Sequence, residues 1–243
     1  MTGPSRREPL SEVSAWAAPL ELVDGNARLA QRRSPAHVTM LAEKLWERGL
    51  PGDARAVELV LAANASVARP AYLQGPLGVT LHPWVDARAM PEALALLRDE
   101  YWNAGRLTDD GIARAHRASA AWVAARDGSG AMIATARAVT DGVKFGYLAD
   151  VTVRSDWRGR GVGAAIVRLL LAHPALRQAA RVELGTRDAM AFYEALGFQT
   201  VGEEQVGTQV RRRMARVRAV QCAQPEQGEE PAQVTKPSSV TPE

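Results

Sequence analysis

The residues with the most concentrated chemistry lie between Asp150 and Ile166. Asp150-Val151-Thr152-Val153 reads as a strand, Arg154 to Trp157 as a short loop, and Arg158-Gly159-Arg160-Gly161-Val162-Gly163-Ala164 as the glycine-rich start of a helix. The first turn of a helix leaves backbone N–H groups unpaired and carries the positive end of the macrodipole, and glycines let a ligand approach the backbone closely. Arg158 to Ala164 therefore suits a pyrophosphate, with Arg158 and Arg160 adding formal charge. The spacing argues against two common phosphate binders. A Rossmann turn follows its strand at once and opens a repeated βαβ layout, whereas here a loop intervenes and one such unit is visible. A P-loop needs Gly-Lys-Ser/Thr, which is absent. What remains is Arg-x-x-Gly-x-Gly, carried by Arg158, Gly161 and Gly163.

A second motif follows at Thr186-Arg187-Asp188-Ala189-Met190-Ala191-Phe192-Tyr193-Glu194-Ala195-Leu196-Gly197-Phe198. In this order the two motifs resemble those of the GCN5-related N-acetyltransferase (GNAT) superfamily, and the resemblance extends over residues 78–218. Ala189, Phe192, Tyr193, Glu194, Gly197 and Phe198 match the family pattern. Thr186 departs from it, standing where the family often has an Asn that contacts the coenzyme; a hydroxyl can still donate a hydrogen bond, so a modest change in affinity is expected. Local likeness to one subgroup is carried by Tyr101-Trp102 with Gly105-Arg106, by Val139-Thr140-Asp141, and by Phe145, Tyr147, Leu148, Asp150 and Val151.

The resemblance implies acetyl-CoA as acetyl donor and direct transfer to an amine of a small molecule or peptide. It places the coenzyme on Val151, Thr152 and Val153, on Arg158 to Ala164 (Arg158, Gly159, Arg160, Gly161, Val162, Gly163, Ala164), and on Thr186 and Ala189. The N–H groups of Val151 and Val153 would hold the pantetheine arm, one of them facing the thioester oxygen. Acyl transfer needs a neutral amine, donors for the developing oxyanion and a proton for the leaving thiolate. Tyr193 stands where the family has its general acid, and a phenol with a reference pKa of ~10 is protonated at neutral pH. It also reads as a core aromatic beside Phe192 and near Phe198. Asp150 and Glu183 are candidate bases, acting directly or through water, and read equally well as ion-pair or turn partners. Tyr101, Trp102, Arg106 and Tyr147 form the expected acceptor wall, with Arg106 able to pair a substrate carboxylate; core packing of the aromatics and a surface Arg106 are the alternative.

Elements that would position these residues follow from pattern. Fold class is α/β (α+β), a mixed central sheet of about six to seven strands flanked by helices. Val79–His82 reads as a first strand, Met90 to Asn103 as a helix and Asp109 to Arg117 as a second. Three strands, Ala121–Arg126, Met132–Val139 and Phe145–Val153, are separated by Asp127-Gly128 and Asp141-Gly142, which are hairpin signals. After the glycine-rich helix come a strand at Arg181–Leu184, a helix at Ala189–Leu196, and a strand pair at Phe198–Gly202 and Gln209–Arg216.

Residues 75–218 form the expected acetyltransferase domain. Residues 1–74 read as an extension with one possible strand, Ala15 to Val23, and two helices. Ser34-Pro35 supplies an N-cap and first-turn proline for one, and Asp53 a cap for the other. Residues 11–38 faintly resemble the end of a pyridoxamine 5'-phosphate oxidase-like domain, but nearly the whole flavin site would be missing, so no flavin is expected. Residues 219–243 are polar and proline-bearing and read as a disordered tail.

Composition narrows the function classes. The 243 residues are 47% hydrophobic and 23% charged, with a net charge of +3, too weak by itself to argue for nucleic acid. No apolar run approaches the ~18–20 residues of a membrane span, no signal-peptide core is visible, and a cytoplasmic location is the default. The single cysteine, Cys222, removes disulfides and Cys-based metal clusters. His37, His82, His116 and His173 show no metal spacing, so no metal is expected. Arg211-Arg212-Arg213 reads as the polar side of an edge strand. Two other functions stay open, a non-catalytic acyl-CoA-binding or regulatory module and a protein- or RNA-associated acetyltransferase, and a homodimer stays open as the oligomeric state.

Overall fold

The computed structural model describes residues 29–206 and 209–218. The Ala15 to Val23 strand, most of the stretch likened to an oxidase domain, and the 219–243 tail lie outside the described residues. Helices α1 (Pro35–Arg48) and α2 (Asp53–Ala62) are followed by strand β1 (Thr80–His82), helices α3 (Met90–Leu97) and α4 (Asp109–Arg117), and strands β2 (Ala121–Arg126), β3 (Met132–Thr140) and β4 (Phe145–Val153). Then come α5 (Val162–Ala172), β5 (Arg181–Thr186), α6 (Met190–Glu194), β6 (Gln199–Val206) and β7 (Gln209–Val217). The seven strands form one sheet in the order β1-β2-β3-β4-β5-β7-β6. Only the β4–β5 pair is parallel.

Local chemistry sets these boundaries. The Ser34 hydroxyl accepts from the His37 N–H (3.4 Å) with Pro35 in the first turn of α1, and Gly49 ends it in the left-handed region at φ 67°. The β2–β3 turn closes on Asp127, whose Oδ1 accepts from the Ser129 and Ala131 N–H groups at 3.0 and 3.1 Å. In the β3–β4 turn Asp141 Oδ1 accepts from the N–H groups of Val143, Lys144 and Phe145 (2.9, 2.8 and 2.9 Å). These donors hold both carboxyls below their usual range, the Ser129 hydroxyl first at Asp127 and the Phe145 N–H first at Asp141.

Both faces of the sheet are covered, and β2 shows it residue by residue. Ala121, Val123 and Ala125 join one core with Ile166, Val167 and Leu170 of α5, and with Ala42, Trp46, Val57 and Leu61 of α1 and α2. Trp122 and Ala124, on the opposite face by strand alternation, join Met90, Ala93 and Leu97 of α3 and Ile112 of α4. The run of buried alanines along β2 and β3 brings helices close on either side. The sequence assignment of α1 and α2 to a separate extension therefore meets a shared core.

Three details depart from the sequence reading. The helix expected from Met90 to Asn103 stops at Leu97, because the buried Asn103 donates its side-chain N–H to the Leu97 carbonyl (3.0 Å) and folds the following residues into turns. Asp53 does not cap α2 forward; it is the first helical residue and turns back to accept from the Leu50 N–H (2.7 Å) and the Arg48 guanidinium (2.6 and 3.0 Å). Nor is β7 an edge strand: the chain returns to insert it between β5 and β6.

Candidate functional site

The site forms where β4 and β5 part. Their parallel register covers only Phe145–Tyr147 against Arg181–Glu183. Beyond it, β4 carries an irregularity opposite Thr135–Arg137, and Asp150 takes a left-handed φ of 52°. Arg137 Nε holds that residue by donating to Asp150 Oδ2 (2.5 Å). Between the separated strands lies a cavity of about 720 Å³, lined along one wall by Leu148 to Val153 and along the other by Leu184 to Ala189.

Strand alternation aims the free backbone of β4 into this gap. The Arg154 N–H donates to the Ile133 carbonyl (2.8 Å), toward β3, so the Val153 N–H one residue earlier points away from β3, and the Val151 N–H with it. At the far end stands the start of α5. Its first intrahelical bond is Ala165 N–H to Gly161 C=O (3.0 Å), so the N–H groups of Val162, Gly163 and Ala164 have no acceptor within the helix. Gly161 needs its freedom, at φ 81°, to turn the chain into the helix. A Cβ on Gly163 would meet Phe192 Cζ (3.4 Å) and Val153 Cγ2 (3.5 Å), both residues of the cavity lining, so a larger side chain would narrow the cavity there.

Most of the expected site residues line the cavity: Asp150, Val151, Thr152, Val153, Arg158, Gly159, Gly161, Gly163, Ala164, Thr186, Ala189 and Tyr193, with Tyr101, Trp102, Arg106 and Tyr147. Arg158 donates from Nε to the Val153 carbonyl (2.9 Å) and from Nη2 to Glu100 (3.3 Å), and Glu100 also accepts from the Thr152 hydroxyl (2.6 Å). The Thr186 hydroxyl accepts from the Ala189 N–H (3.1 Å), so it braces the turn into α6. Three residues stand apart from the lining. Arg160 lies over the Trp157 ring (5.3 Å to its centroid), the Val162 side chain is fully buried, and Glu183 is buried between Arg181 (2.6 Å) and Arg213 (3.6 Å) where β4 and β5 are still paired. Its place outside the cavity lining makes Glu183 an ion-pair partner instead of a cavity base.

Tyr193 is 8% exposed, with its ring edge-on to Phe192 (4.9 Å) and Phe198 (5.8 Å). Burial first, then the neighbouring Tyr101 and Tyr147, push its hydroxyl above the usual tyrosine range. Burial does the same to Tyr101, whose ring carries the Arg187 guanidinium at 3.8 Å. Glu100, Phe192, Arg187 and Arg211 also line the cavity, though sequence reading assigned them no role in the site. Arg187 was reachable from its place inside the second motif. Arg211 was reachable from period-two alternation, which separates Arg211 and Arg213 from Arg212.

The acetyltransferase (GNAT) family model matches residues 86–198. These residues belong to the GNAT acetyltransferase family. No curated protein matches the chain. Among solved structures, an aminoglycoside 6'-N-acetyltransferase complexed with coenzyme A is similar at 17% identity and a TM-score of 0.50, over 56% of this chain and 96% of the other. A ribosomal-protein-S18-alanine N-acetyltransferase from Escherichia coli is similar at 21% identity and 0.50, over 57% and 93%. At such identities the likeness shows the fold alone. Among the described residues no helix is long and apolar enough to cross a membrane, and no group of His, Cys, Asp or Glu could hold a metal ion.

Proposed function

We propose that this GNAT domain transfers an acetyl group from acetyl-CoA directly to an amine. The observation that carries the reading is the pair of donor groups beside the cavity: the Val151 and Val153 N–H groups, which strand alternation turns away from β3, and the first-turn N–H groups of α5, which have no acceptor within the helix. The donors of Val162, Gly163 and Ala164 would hold the pyrophosphate, at the positive end of the helix and beside Arg158. The N–H groups of Val151 and Val153 would hold the pantetheine amides, with one of them meeting the thioester oxygen as charge develops on it. Acetyl-CoA, when bound, supplies an activated acyl group and a thiolate leaving group.

Tyr193 would give that thiolate its proton. Its raised pKa keeps the hydroxyl protonated across the neutral range, so a proton is present when the carbon–sulfur bond breaks. Asp150, held by Arg137, lines the cavity and would accept the amine proton, directly or through water. Thr186 and Ala189 would border the coenzyme from the turn into α6, and the side chain of Thr152 keeps the wall in register through Glu100.

The test is amine-dependent release of the coenzyme thiol from acetyl-CoA by the full chain, read with a thiol reagent across a panel of amines. Release that rises with added amine is expected. Coenzyme binding with no amine-dependent release would overturn the enzyme reading and leave a binding module.

A further inference from the structure

We infer that the acceptor amine also carries a carboxylate, received by Arg211, Trp102 and Arg106 at the end of the cavity away from α5; this rests on the acetyl-transfer reading above. Two buried donors on this wall have no acceptor among the described residues, Arg211 Nε and Trp102 Nε1. Buried N–H groups are nearly always satisfied, and leaving one unmade costs about 1–3 kcal/mol, so a pair of them on a cavity wall marks a place where a ligand supplies the oxygen. Arg106 lines the same cavity and has no ion pair among the described residues.

Space around Gly185 shows that Arg211 is placed and not merely left over. A methyl group on Gly185 would come within 2.8 Å of Arg211 Cδ, 2.9 Å of Arg211 Nε and 3.1 Å of the Tyr147 hydroxyl. The glycine is there for room, allowing the guanidinium to lie over the β5 backbone and Tyr147 to converge on the same point. Arg211 gives its Nη2 to Glu204 on β6 (2.5 Å), while its Nε stays without a partner among the described residues. A guanidinium N–H and an indole N–H from residues of the same cavity lining suit a group with two acceptor oxygens, such as a carboxylate.

The acidic groups on the lining argue in the same direction. Glu100 is engaged by Arg158 (3.3 Å), Asp150 by Arg137 (2.5 Å) and Asp188 by Arg187 (3.1 Å). A polycationic acceptor would find each of these carboxylates already paired, whereas Arg106 is left without an ion pair among the described residues. Tyr101 and Trp102, packed edge to face at 4.8 Å, offer apolar surface to the rest of the acceptor.

The experiment compares free L-amino acids with their carboxamides, among them phenylalanine and methionine, beside spermidine, kanamycin and phosphoethanolamine. The full chain is used with acetyl-CoA and thiol release as readout. For the best acceptor, the free acid is expected to exceed its carboxamide about tenfold or more in kcat/KM, as loss of a charge-assisted hydrogen bond requires. Arg211→Gln should bring that ratio close to one while calorimetric acetyl-CoA affinity stays at the parent value. The ratio measured on the parent tests the proposal even if the variant folds poorly. Equal or better turnover of the carboxamide, spermidine, kanamycin or phosphoethanolamine would overturn the inference, as would an unchanged ratio in a folded Arg211→Gln. Acetyl-CoA binding without turnover of any acid overturns the acceptor class alone, whereas failure of a folded parent to bind acetyl-CoA overturns this and the transfer reading together.

Discussion

Tyr193 draws its proposed role from burial. Its ring is held by Phe192 and Phe198 while the residue still borders the cavity, so the hydroxyl is desolvated yet within reach of a ligand. Burial disfavours the phenolate and Tyr101 and Tyr147 add to that, which raises the pKa. The sign follows: the acid form persists above the ordinary tyrosine value of ~10 and is not lost as pH rises through the working range. Tyr193→Phe should lower kcat about 100-fold or more, and the kcat profiles of parent and variant, measured from pH 6 to about pH 10, should run parallel. An alkaline fall in the parent that the variant lacks would contradict the assignment. The alternative reading of Tyr193 as a core aromatic is compatible with this one, since the packing is what sets the proton in place.

At the scale of elements, the site is a consequence of one short parallel pairing. β4 and β5 stay together for three residue pairs and then separate, and Asp150, at its left-handed φ and gripped by Arg137, marks where β4 turns from its partner. The end of α5 is fixed by chemistry of a different kind. His173 follows the helix, accepts at Nδ1 from the Ala175 N–H (3.1 Å) and donates from Nε2 to the Pro83 carbonyl (3.1 Å), which requires the neutral ring. Burial lowers its pKa to about 4. The folded value lies below the unfolded one, so the stabilisation is present above about pH 6.5 and is lost as pH falls toward 4, by up to about 3 kcal/mol. Urea unfolding at pH 7, 5.5 and 4.5 should show this decline, and His173→Gln should flatten it; an equal slope in the variant would refute the role. Hairpins with Asp-Gly turns were legible in the sequence because their side chains bond to backbone within four residues. The end of α3 was not, because Tyr101 and Trp102 continue the apolar helical spacing while Asn103 stops the helix by a bond back to Leu97. The place of β7 was hidden for a related reason: an arginine run reads as an exposed edge, and only the fold brings Arg211 to Gly185 and Arg213 to Glu183. The cradle from Arg158 to Ala164 was legible since its residues are contiguous. The acceptor wall was half legible, with Tyr101, Trp102, Arg106 and Tyr147 readable from local motifs and Arg211 arriving from a distant strand.

Across the whole molecule, the helices ahead of the family match serve the same core as the sheet. Trp46 of α1 stacks on Tyr72 (5.0 Å) and meets the His173 ring edge-on (5.8 Å), and Arg177 donates to the Trp46 carbonyl (2.8 Å). These contacts hold the end of α5 opposite to the one that carries the donors, so the cradle rests on a helix braced at its far side. Acetyl transfer by this domain requires that the cradle accept a coenzyme. Gly163→Val tests it more cleanly than a change at Gly161, because Gly163 has no left-handed φ to strain, and a Cβ there would already touch Phe192 and Val153, so the added methyls narrow the cavity beside the helix start. The deciding measurement is calorimetric titration of acetyl-CoA into the full chain and into Gly163→Val, with thermal unfolding showing both folded. Saturable binding to the parent and its loss or at least tenfold weakening in the variant is the expected result, since the valine would fill space between Phe192 and Val153 in the cavity lining beside the first-turn N–H groups. No binding by the folded parent, or equal affinity in the two, would contradict the account.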